Sequence, residues 1–349
     1  MLALGTAFRL SPAFSEFYTL KIAPIFKVPI SFISSLFPFS LGESFIVLLI
    51  FLGVITFASA VLKLVAIIWQ KDIISHFKSF LKILICCAIY IFCVFFLTFA
   101  SSYSRIPISK SLKIDEVEMS EENICVALEA VTKELELLSS KLPITPASST
   151  YSTDNFEELS EKVFKSALKA YKKYPIYQRP ICEAKPIAFS EMLAYTGISG
   201  IYTFFTGESN VNTAFSDYTV PFTIAHEYSH QMGIGSEKEA EFSALLICLE
   251  SDDPYIRYSA YSQVAITLSN LLYDINPKEF EKAFRTFPTC LINDIYISSE
   301  NSKKYEETVA DEIASAINDT YLSLNGDDGV ISYSLSSKLY VSYFLRSNE

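Results

Sequence analysis

The stretch Thr223–Phe242, TIAHEYSHQMGIGSEKEAEF, carries two of the three histidines in the 349-residue chain. These are His226 and His230, and Glu227 directly follows the first of them. On a helix, residues four apart share a face, so both imidazoles can point at one metal ion, while Glu227 is rotated by about 100°. The H-E-x-x-H spacing is typical of zinc sites in which the glutamate acts as a general base. The alternative is a helix with two incidental histidines.

The flanking residues predict where this helix begins and ends. Pro221 suits a first helical turn, where its missing N–H leaves no hydrogen bond unmade. Gly233 is placed to end the helix in a left-handed conformation. The motif therefore lies in the final turns of a short helix.

A zinc site of this kind needs a third protein ligand. A histidine three residues after Gly233 would supply it in one known pattern, but that position is Ser236. Glu237 and Glu241 lie four apart on the next predicted helix and so share a face. We predict that Glu237 binds the metal and that Glu241 orients a histidine, although helical phase leaves the reverse assignment open. Ser236 and Glu239 have the spacing of a capping box, which gives Glu239 a structural role.

These residue types support peptide-bond hydrolysis. A zinc ion with two histidines, one carboxylate and an open position lowers the pKa of its bound water towards ~7. Glu227 would take the proton of that water and pass it to the leaving amine. Since the remaining histidine, His76, lies in the loop between the predicted spans, a tyrosine or an arginine is the expected partner of the oxyanion. The candidates, each with a structural role as its alternative, are Tyr258, Tyr261, Tyr321 and Tyr333.

A β-hairpin is predicted before the motif. The segments 201–205 and 210–215 have strand composition, and TGES between them supplies a turn. An edge strand beside the zinc-binding helix can pair with an extended substrate. Asn210 and Asn212 are therefore candidates for substrate contacts, with an ordinary polar hairpin as the alternative.

The excess of hydrophobic residues lies before residue 101. Half of all residues are hydrophobic, and the mean hydropathy is +0.30. Residues 45–69 and 80–100 contain apolar runs long enough to cross ~30 Å of hydrocarbon. We predict a two-helix transmembrane hairpin over residues 45–101, with two buried core helices as the alternative. The lysines in and beside its short loop favour a cytoplasmic loop, which places the rest of the chain outside the cytoplasm. They are Lys63, Lys71, Lys78 and Lys82.

Residues 1–44 are apolar but rich in proline. The prolines predict that no helix there is long enough to span a bilayer, and Lys21 and Lys27 suit an amphipathic element in the membrane interface. The segment lacks the charged start and cleavage site of a signal peptide. The prolines are Pro12, Pro24, Pro29 and Pro38.

Charge and cysteine content exclude further classes. The net charge of −11 and the lack of a basic stripe argue against nucleic-acid binding. The seven cysteines contain no C-x-x-C pair, so a cysteine zinc site is not expected. Unpaired thiols are favoured, and one or two disulfides stay open.

The segments Lys185–Asn212 and Pro221–Phe242 together resemble a bacterial family known as domain of unknown function 3810. The segment Ile317–Ser334, INDTYLSLNGDDGVISYS, is similar to the tail motif of that family. The resemblance covers most of the chain, including the paired spans, and implies a membrane-anchored, zincin-like predicted metallopeptidase without a known substrate. Family members usually carry another apolar span at the N-terminus. They often have Asn at the position of Glu241, which fits an orienting role better than a ligand role.

Together these patterns predict an α+β, mostly helical protein of the cell membrane. A two-helix transmembrane hairpin precedes a zincin-like metallopeptidase domain over residues 102–349. The predicted partners are Zn²⁺, a peptide or protein substrate and the lipid bilayer. The alternatives are a non-catalytic membrane sensor or scaffold that retains a structural zinc site, and a membrane protein without a metal.

Overall fold

The computed structural model describes residues 1–65, 72–305 and 332–346, with isolated positions between 308 and 320. The predictions for Trp69, Lys71, Tyr321 and most of the tail motif lie outside these residues. The described chain is mostly helical with a few short strands, as predicted.

The part of the chain before residue 99 is a succession of helices. They are α1 (Leu2–Leu10), α2 (Pro12–Phe17), a π-helical turn (Tyr18–Ile22), α3 (Ala23–Ser35), α4 (Leu41–Val65) and α5 (Asp72–Thr98). Among the described residues, three stretches are long and apolar enough to cross a membrane: Pro12–Ser35, Leu41–Ser59 and Phe77–Thr98. The second and third correspond to the predicted hairpin.

The first stretch corrects the prediction that prolines prevent a long helix in residues 1–44. Pro12 and Pro24 occupy the first turns of α2 and α3, where a missing N–H costs no hydrogen bond. Pro29 lies inside α3, and Pro38 follows its end. By length and composition, Pro12–Ser35 is a third candidate span. Its placement in the membrane interface stays a prediction.

The part of the chain after residue 99 surrounds the helix that carries the H-E-x-x-H motif. It begins with a short 3₁₀ helix (Ala100–Ser104). The helices are α6 (Ile108–Ser111), α7 (Glu121–Ser139), α8 (Phe156–Lys173), α9 (Ser190–Ala194), α10 (Val220–Gln231), α11 (Glu237–Leu249), α12 (Pro254–Ile275), α13 (Pro277–Phe284), α14 (Thr289–Ser302) and α15 (Ser332–Arg346). The central helix α10 packs against α8, α11 and α12. Its buried Ile224, Ala225 and Tyr228 belong to the main apolar core.

A small sheet lies against α10. Its strands are β1 (Lys185–Pro186), β2 (Gly200–Thr203) and β3 (Glu208–Val211), in the order β1-β3-β2. The predicted hairpin is present, since β2 and β3 are antiparallel, but both strands begin and end earlier than the predicted segments 201–205 and 210–215. The two-residue strand β1, parallel to β3, was not predicted because so short a segment with a proline has no strand pattern.

Polar contacts join the first helices to the second half of the chain. Arg105 binds both carboxylate oxygens of Glu16 at 2.8 Å and donates to the carbonyl oxygen of Gly233 at 2.7 Å. The buried Lys27 of α3 donates to the carbonyl oxygen of Gln231, the last residue of α10. The helices that precede residue 102 therefore contact the motif helix directly, across the boundary predicted from the sequence.

All seven cysteines are free thiols in the structure. Cys182, Cys248 and Cys290 are buried, and burial raises the pKa of Cys182 to about 11. The prediction that the cysteines are unpaired thiols therefore agrees with this structure.

Candidate metal centre

Helix α10 has the predicted bounds. It begins at Val220 with Pro221 in its first turn and ends at Gln231. Gly233 then adopts φ +90°, and a Cβ there would lie 2.9 Å from Nε2 of Gln178. The left-handed turn and the close packing both require glycine at this position.

Three predicted ligands converge on one point. Nε2 of His226 lies 3.1 Å from Nε2 of His230 and 3.2 Å from Oε2 of Glu237. Oε1 of Glu237 lies 3.5 Å from Nε2 of His230. Four ligands arranged tetrahedrally around zinc at ~2.0–2.1 Å are roughly 3.3 Å apart. The spacing and chemistry of these donors therefore fit a zinc ion.

The second ring nitrogen of His230 supports this fit. Nδ1 of His230 lies 2.8 Å from the carbonyl oxygen of Ile234, to which it donates a hydrogen bond. A proton held on Nδ1 leaves the lone pair of the neutral ring on Nε2, the atom that faces the cluster. Backbone geometry after α10 thus prepares His230 as a ligand.

Glu241 lies on the other side of His226. Its Oε1 is 3.5 Å from Nδ1 of His226, while its Oε2 accepts a hydrogen bond from the hydroxyl of Tyr340 at 3.3 Å. Glu237 faces Nε2 of the same ring, so the two glutamates occupy different positions. Sequence reasoning missed Tyr340, because nothing local connects α15 to a residue 99 positions earlier.

Glu227 is buried beside the cluster, with 4% of its surface exposed. Among the described residues its Oε2 has no hydrogen-bond partner. A Cβ at Gly200 would lie 2.5 Å from its Oε1, so the glycine leaves room for the carboxylate. Burial raises the pKa of Glu227 to about 7, which suits a group that exchanges protons near neutral pH.

The other ionisable groups form an ion-paired cluster when no metal is bound. Burial lowers the pKa of His226, but Glu237, Glu241 and Glu227 outweigh it and raise that pKa to about 10. Burial also raises the pKa of Glu237, but His230 and His226 outweigh it and hold that pKa well below its usual range. A metal ion would take the place of the protons that now balance these carboxylates.

The two asparagines make hydrogen bonds within the chain. The amide nitrogen of Asn210 donates to Oγ1 of Thr203 at 3.0 Å, and that of Asn212 donates to the carbonyl oxygen of Ile198 at 3.0 Å. Both side chains are buried. These amides therefore hold the hairpin together, and their contact with a substrate stays a prediction.

The predicted capping box is also absent. The side chain of Ser236 makes no cap hydrogen bond at the start of α11. Instead, Oε1 of Glu239 accepts the backbone N–H of Ile108 at 2.8 Å. Glu239 is structural as predicted, but through a contact with a distant segment.

The described candidate tyrosines serve the core. The hydroxyl of Tyr258 donates to Oδ2 of Asp294 at 2.7 Å, and the ring of Tyr261 packs against Phe344. Tyr321 and the side chain of Tyr333 lie outside the described residues.

A family model with the description "Protein of unknown function (DUF3810)" matches residues 18–341. The chain belongs to this family. No curated protein and no solved structure matches it. The matched region of this DUF3810 protein includes α3, α4 and α5, the sheet and the histidine cluster. Because the family description assigns no activity, any function has to be argued from the site.

Proposed function

We propose that this DUF3810 protein is a membrane-anchored zinc metallopeptidase. The observation that carries the proposal is the convergence of His226, His230 and Glu237 beside the buried carboxylate of Glu227. The first three residues would hold Zn²⁺, with Glu237 and not Glu241 as the third ligand. When bound, the ion supplies a Lewis acid and a water of lowered pKa.

The remaining residues of the site have separate roles. Glu227 accepts the proton of the attacking water and transfers it to the leaving amine, because its pKa is raised to about 7. Glu241 lies against Nδ1 of His226 and steadies that ring, and Tyr340 holds Glu241 in turn. These contacts support a preorganised site.

Strand β2 offers a place for an extended substrate. In the described part of the chain it pairs on one side only, with β3. The N–H of Asn212 donates to the carbonyl of Ser199, so the antiparallel alternation turns the backbone groups of Gly200 and Tyr202 towards the free edge. A peptide added at that edge would pass Glu227, which lies against Gly200.

We also propose that the site faces the outside of the cytoplasm. Lys78 and Lys82 are exposed at the start of α5, in the region where α4 and α5 connect. By the positive-inside rule that end lies in the cytoplasm, and the opposite end of the hairpin, which bears the site, lies outside.

Zinc content and peptide cleavage, measured together on the full chain in detergent, test the proposal. We expect stoichiometric zinc, and cleavage of a peptide library that is lost with a chelator and restored by Zn²⁺. Glu237→Gln should weaken zinc affinity by a factor of at least ~100, since it replaces a charged ligand. Glu239→Gln, which changes a half-buried glutamate in the same helical turn, should keep both properties.

Two results would contradict the proposal in different ways. Purified protein without zinc, which also fails to bind added Zn²⁺, would exclude the metal site. Stoichiometric zinc without cleavage of any peptide would favour a sensor or scaffold with a structural zinc site.

A further inference from the structure

The candidate metal centre lies at the end of a candidate membrane span. Phe99 directly follows Thr98, the last residue of the span Phe77–Thr98. The ring centroid of Phe99 is 6.1 Å from that of His230 and 5.2 Å from that of Tyr202. One residue beyond the apolar helix, the chain thus contacts both a predicted zinc ligand and the edge strand.

An independent set of contacts places the start of the second span at the other end of β2. The carboxylate of Glu208 accepts the backbone N–H of Leu41 at 3.0 Å and that of Gly42 at 2.9 Å. Glu208 pairs with Thr203 across the sheet, and a Cβ at Gly42 would lie 2.8 Å from Cγ2 of Thr203. The first turn of α4 therefore rests on the last residue of the edge strand.

The length of β2 then gives the distance from the proposed general base, Glu227, to the start of the membrane helix α4. Gly200 contacts Glu227 and Thr203 contacts the start of α4. Three steps of ~3.3 Å separate these two residues, so the strand covers roughly 10 Å. Glu227 is thus one short strand away from the point where α4 begins.

The turn after β2 continues into the hairpin. The ring of Phe204 packs against Phe95 of α5, and the ring of Phe205 packs against Phe45 of α4. The hydroxyl of Tyr90 in α5 donates to the carbonyl oxygen of Phe205 at 3.0 Å. A peptide paired along β2 would therefore extend at one end towards the surface of the membrane helices.

Exposed apolar side chains lie near the first turn of α4. Glu43, in the first turn of α4, accepts the backbone N–H groups of Ala188 and Phe189 at 2.9 Å. Phe189 is 50% exposed, and Met192 in α9 is 71% exposed. Such side chains are stable in the interface between lipid and water, where aromatic residues are enriched.

We propose that the substrates are extended segments of membrane-anchored proteins, cut within a few residues of the point where they leave the bilayer. This inference rests on the proposed peptidase function and names its substrate class. An anchored segment is presented at the height of β2 and at a high effective concentration, whereas a soluble peptide has neither advantage.

The position of the site relative to lipid can be measured without any cleavage. In a Trp69→Phe background, which removes the single tryptophan of the chain, Phe189→Trp places a reporter beside the start of α4. Tyr273→Trp is the matched control, because Tyr273 is an exposed aromatic residue that packs against Phe280 in α13. In vesicles, lipids brominated near the headgroup should quench the fluorescence of the first variant and not of the second. Equal quenching, or none at Phe189→Trp, would overturn the inference.

The substrate class can be tested with the full chain in lipid vesicles. The probe is a single leucine–alanine span joined to a randomised segment, either directly or through about twenty Gly/Ser residues with a mean reach of roughly 25 Å. A third probe is the same segment free in solution. We expect the directly joined segment to be cut at least about tenfold faster than the other two, and Glu227→Gln to cut none.

The outcomes separate this inference from the function on which it rests. Equal cleavage of the three probes would overturn the substrate class and leave the peptidase in place. No cleavage of any probe by the zinc-loaded protein, with quenching still seen at Phe189→Trp, would overturn the peptidase itself and, with it, the substrate class.

Discussion

Two sets of buried polar side chains on α10 differ in whether they have hydrogen-bond partners. In the first set, Oε1 of Gln231 accepts the N–H groups of Ile181 and Cys182 at 2.8 and 3.2 Å. Its Nε2 donates to the carbonyl oxygen of Cys182 at 2.9 Å and to Oγ of Ser209 at 3.2 Å. Tyr228, one turn earlier, accepts the N–H of Ala184 at 2.8 Å.

In the second set, beside the candidate metal centre, Oε2 of Glu227 has no hydrogen-bond partner in the described part of the chain, and Nδ1 of His226 lies 3.5 Å from Oε1 of Glu241. A buried polar atom without a partner costs about 1–3 kcal/mol, and more when it is charged. The amide of Gln231, one helical turn after Glu227, has partners for both its oxygen and its nitrogen. The unpaired carboxylate oxygen of Glu227 therefore indicates a site for a ligand and not poor packing.

Of the substitutions that test this comparison, Glu227→Gln should have the largest effect on activity. The amide keeps the shape of the side chain but cannot accept the proton of water, so we expect cleavage to fall by about 10²–10⁴-fold. Zinc content should be unchanged, because Glu227 is not among the converging ligands. Peptide cleavage and metal analysis on the same preparation check this. Tyr228→Phe is the control that should retain activity, because the hydroxyl of Tyr228 bonds the backbone N–H of Ala184 and not the cluster; an active Glu227→Gln would contradict the assigned role.

Gln231→Leu should damage stability and not chemistry. It leaves two backbone N–H groups and a carbonyl without their partner, so we expect a loss of about 3 kcal/mol in the free energy of unfolding. Thermal unfolding in detergent measures this, with Tyr228→Phe expected to lose about 1 kcal/mol. If Glu227→Gln destabilised the protein more than Gln231→Leu, the distinction between the unpaired side chains of the site and the fully bonded side chain of Gln231 would fail.

Gly200→Ala should lower activity while leaving the metal in place. Its Cβ would meet Oε1 of Glu227 at 2.5 Å and displace that carboxylate. A misplaced catalytic group costs roughly ten- to hundredfold in rate. Gly53→Ala is a matched control, since its Cβ would lie at an ordinary 3.5 Å from Cζ of Phe80. Steady-state cleavage with zinc analysis measures both; equal rates for the two variants would show that Glu227 tolerates the added methyl group.

The smallest effect is a pH dependence of the zinc-free protein. The pKa of Glu227 is raised from 4.5 to about 7, so the folded state binds more protons and stability falls as pH rises through that window. The pKa of His226, raised from 6.5 to about 10, adds a further fall between those values. Glu227→Gln should reduce the first fall, to which Glu239 and Glu241 also contribute because burial raises the pKa of both, and should leave the second. Unfolding midpoints at pH ~5, ~7 and ~9 measure this, and an unchanged first fall would contradict it.

The features predicted well are those set by local order along the chain. The bounds of α10 follow from Pro221 and Gly233, and the helices of the hairpin follow from long apolar runs. The predicted capping box was wrong because Glu239 has a distant partner. Its carboxylate accepts the N–H of Ile108, which lies 131 positions earlier. No pattern within the segment around Glu239 predicts such a contact.

The sequence by itself determined that His226, Glu227 and His230 share a short helix and that apolar helices precede it, because periodicity and hydropathy are properties of neighbouring residues. It also placed Glu237 and Glu241 on one face. Only the tertiary structure decided that Glu237 faces the Nε2 atoms of both histidines, while Glu241 faces Nδ1 of His226. It also decided that Phe99 and the start of α4 lie beside the site. Those relations depend on how separate helices pack, and packing joins side chains that the linear chain keeps far apart.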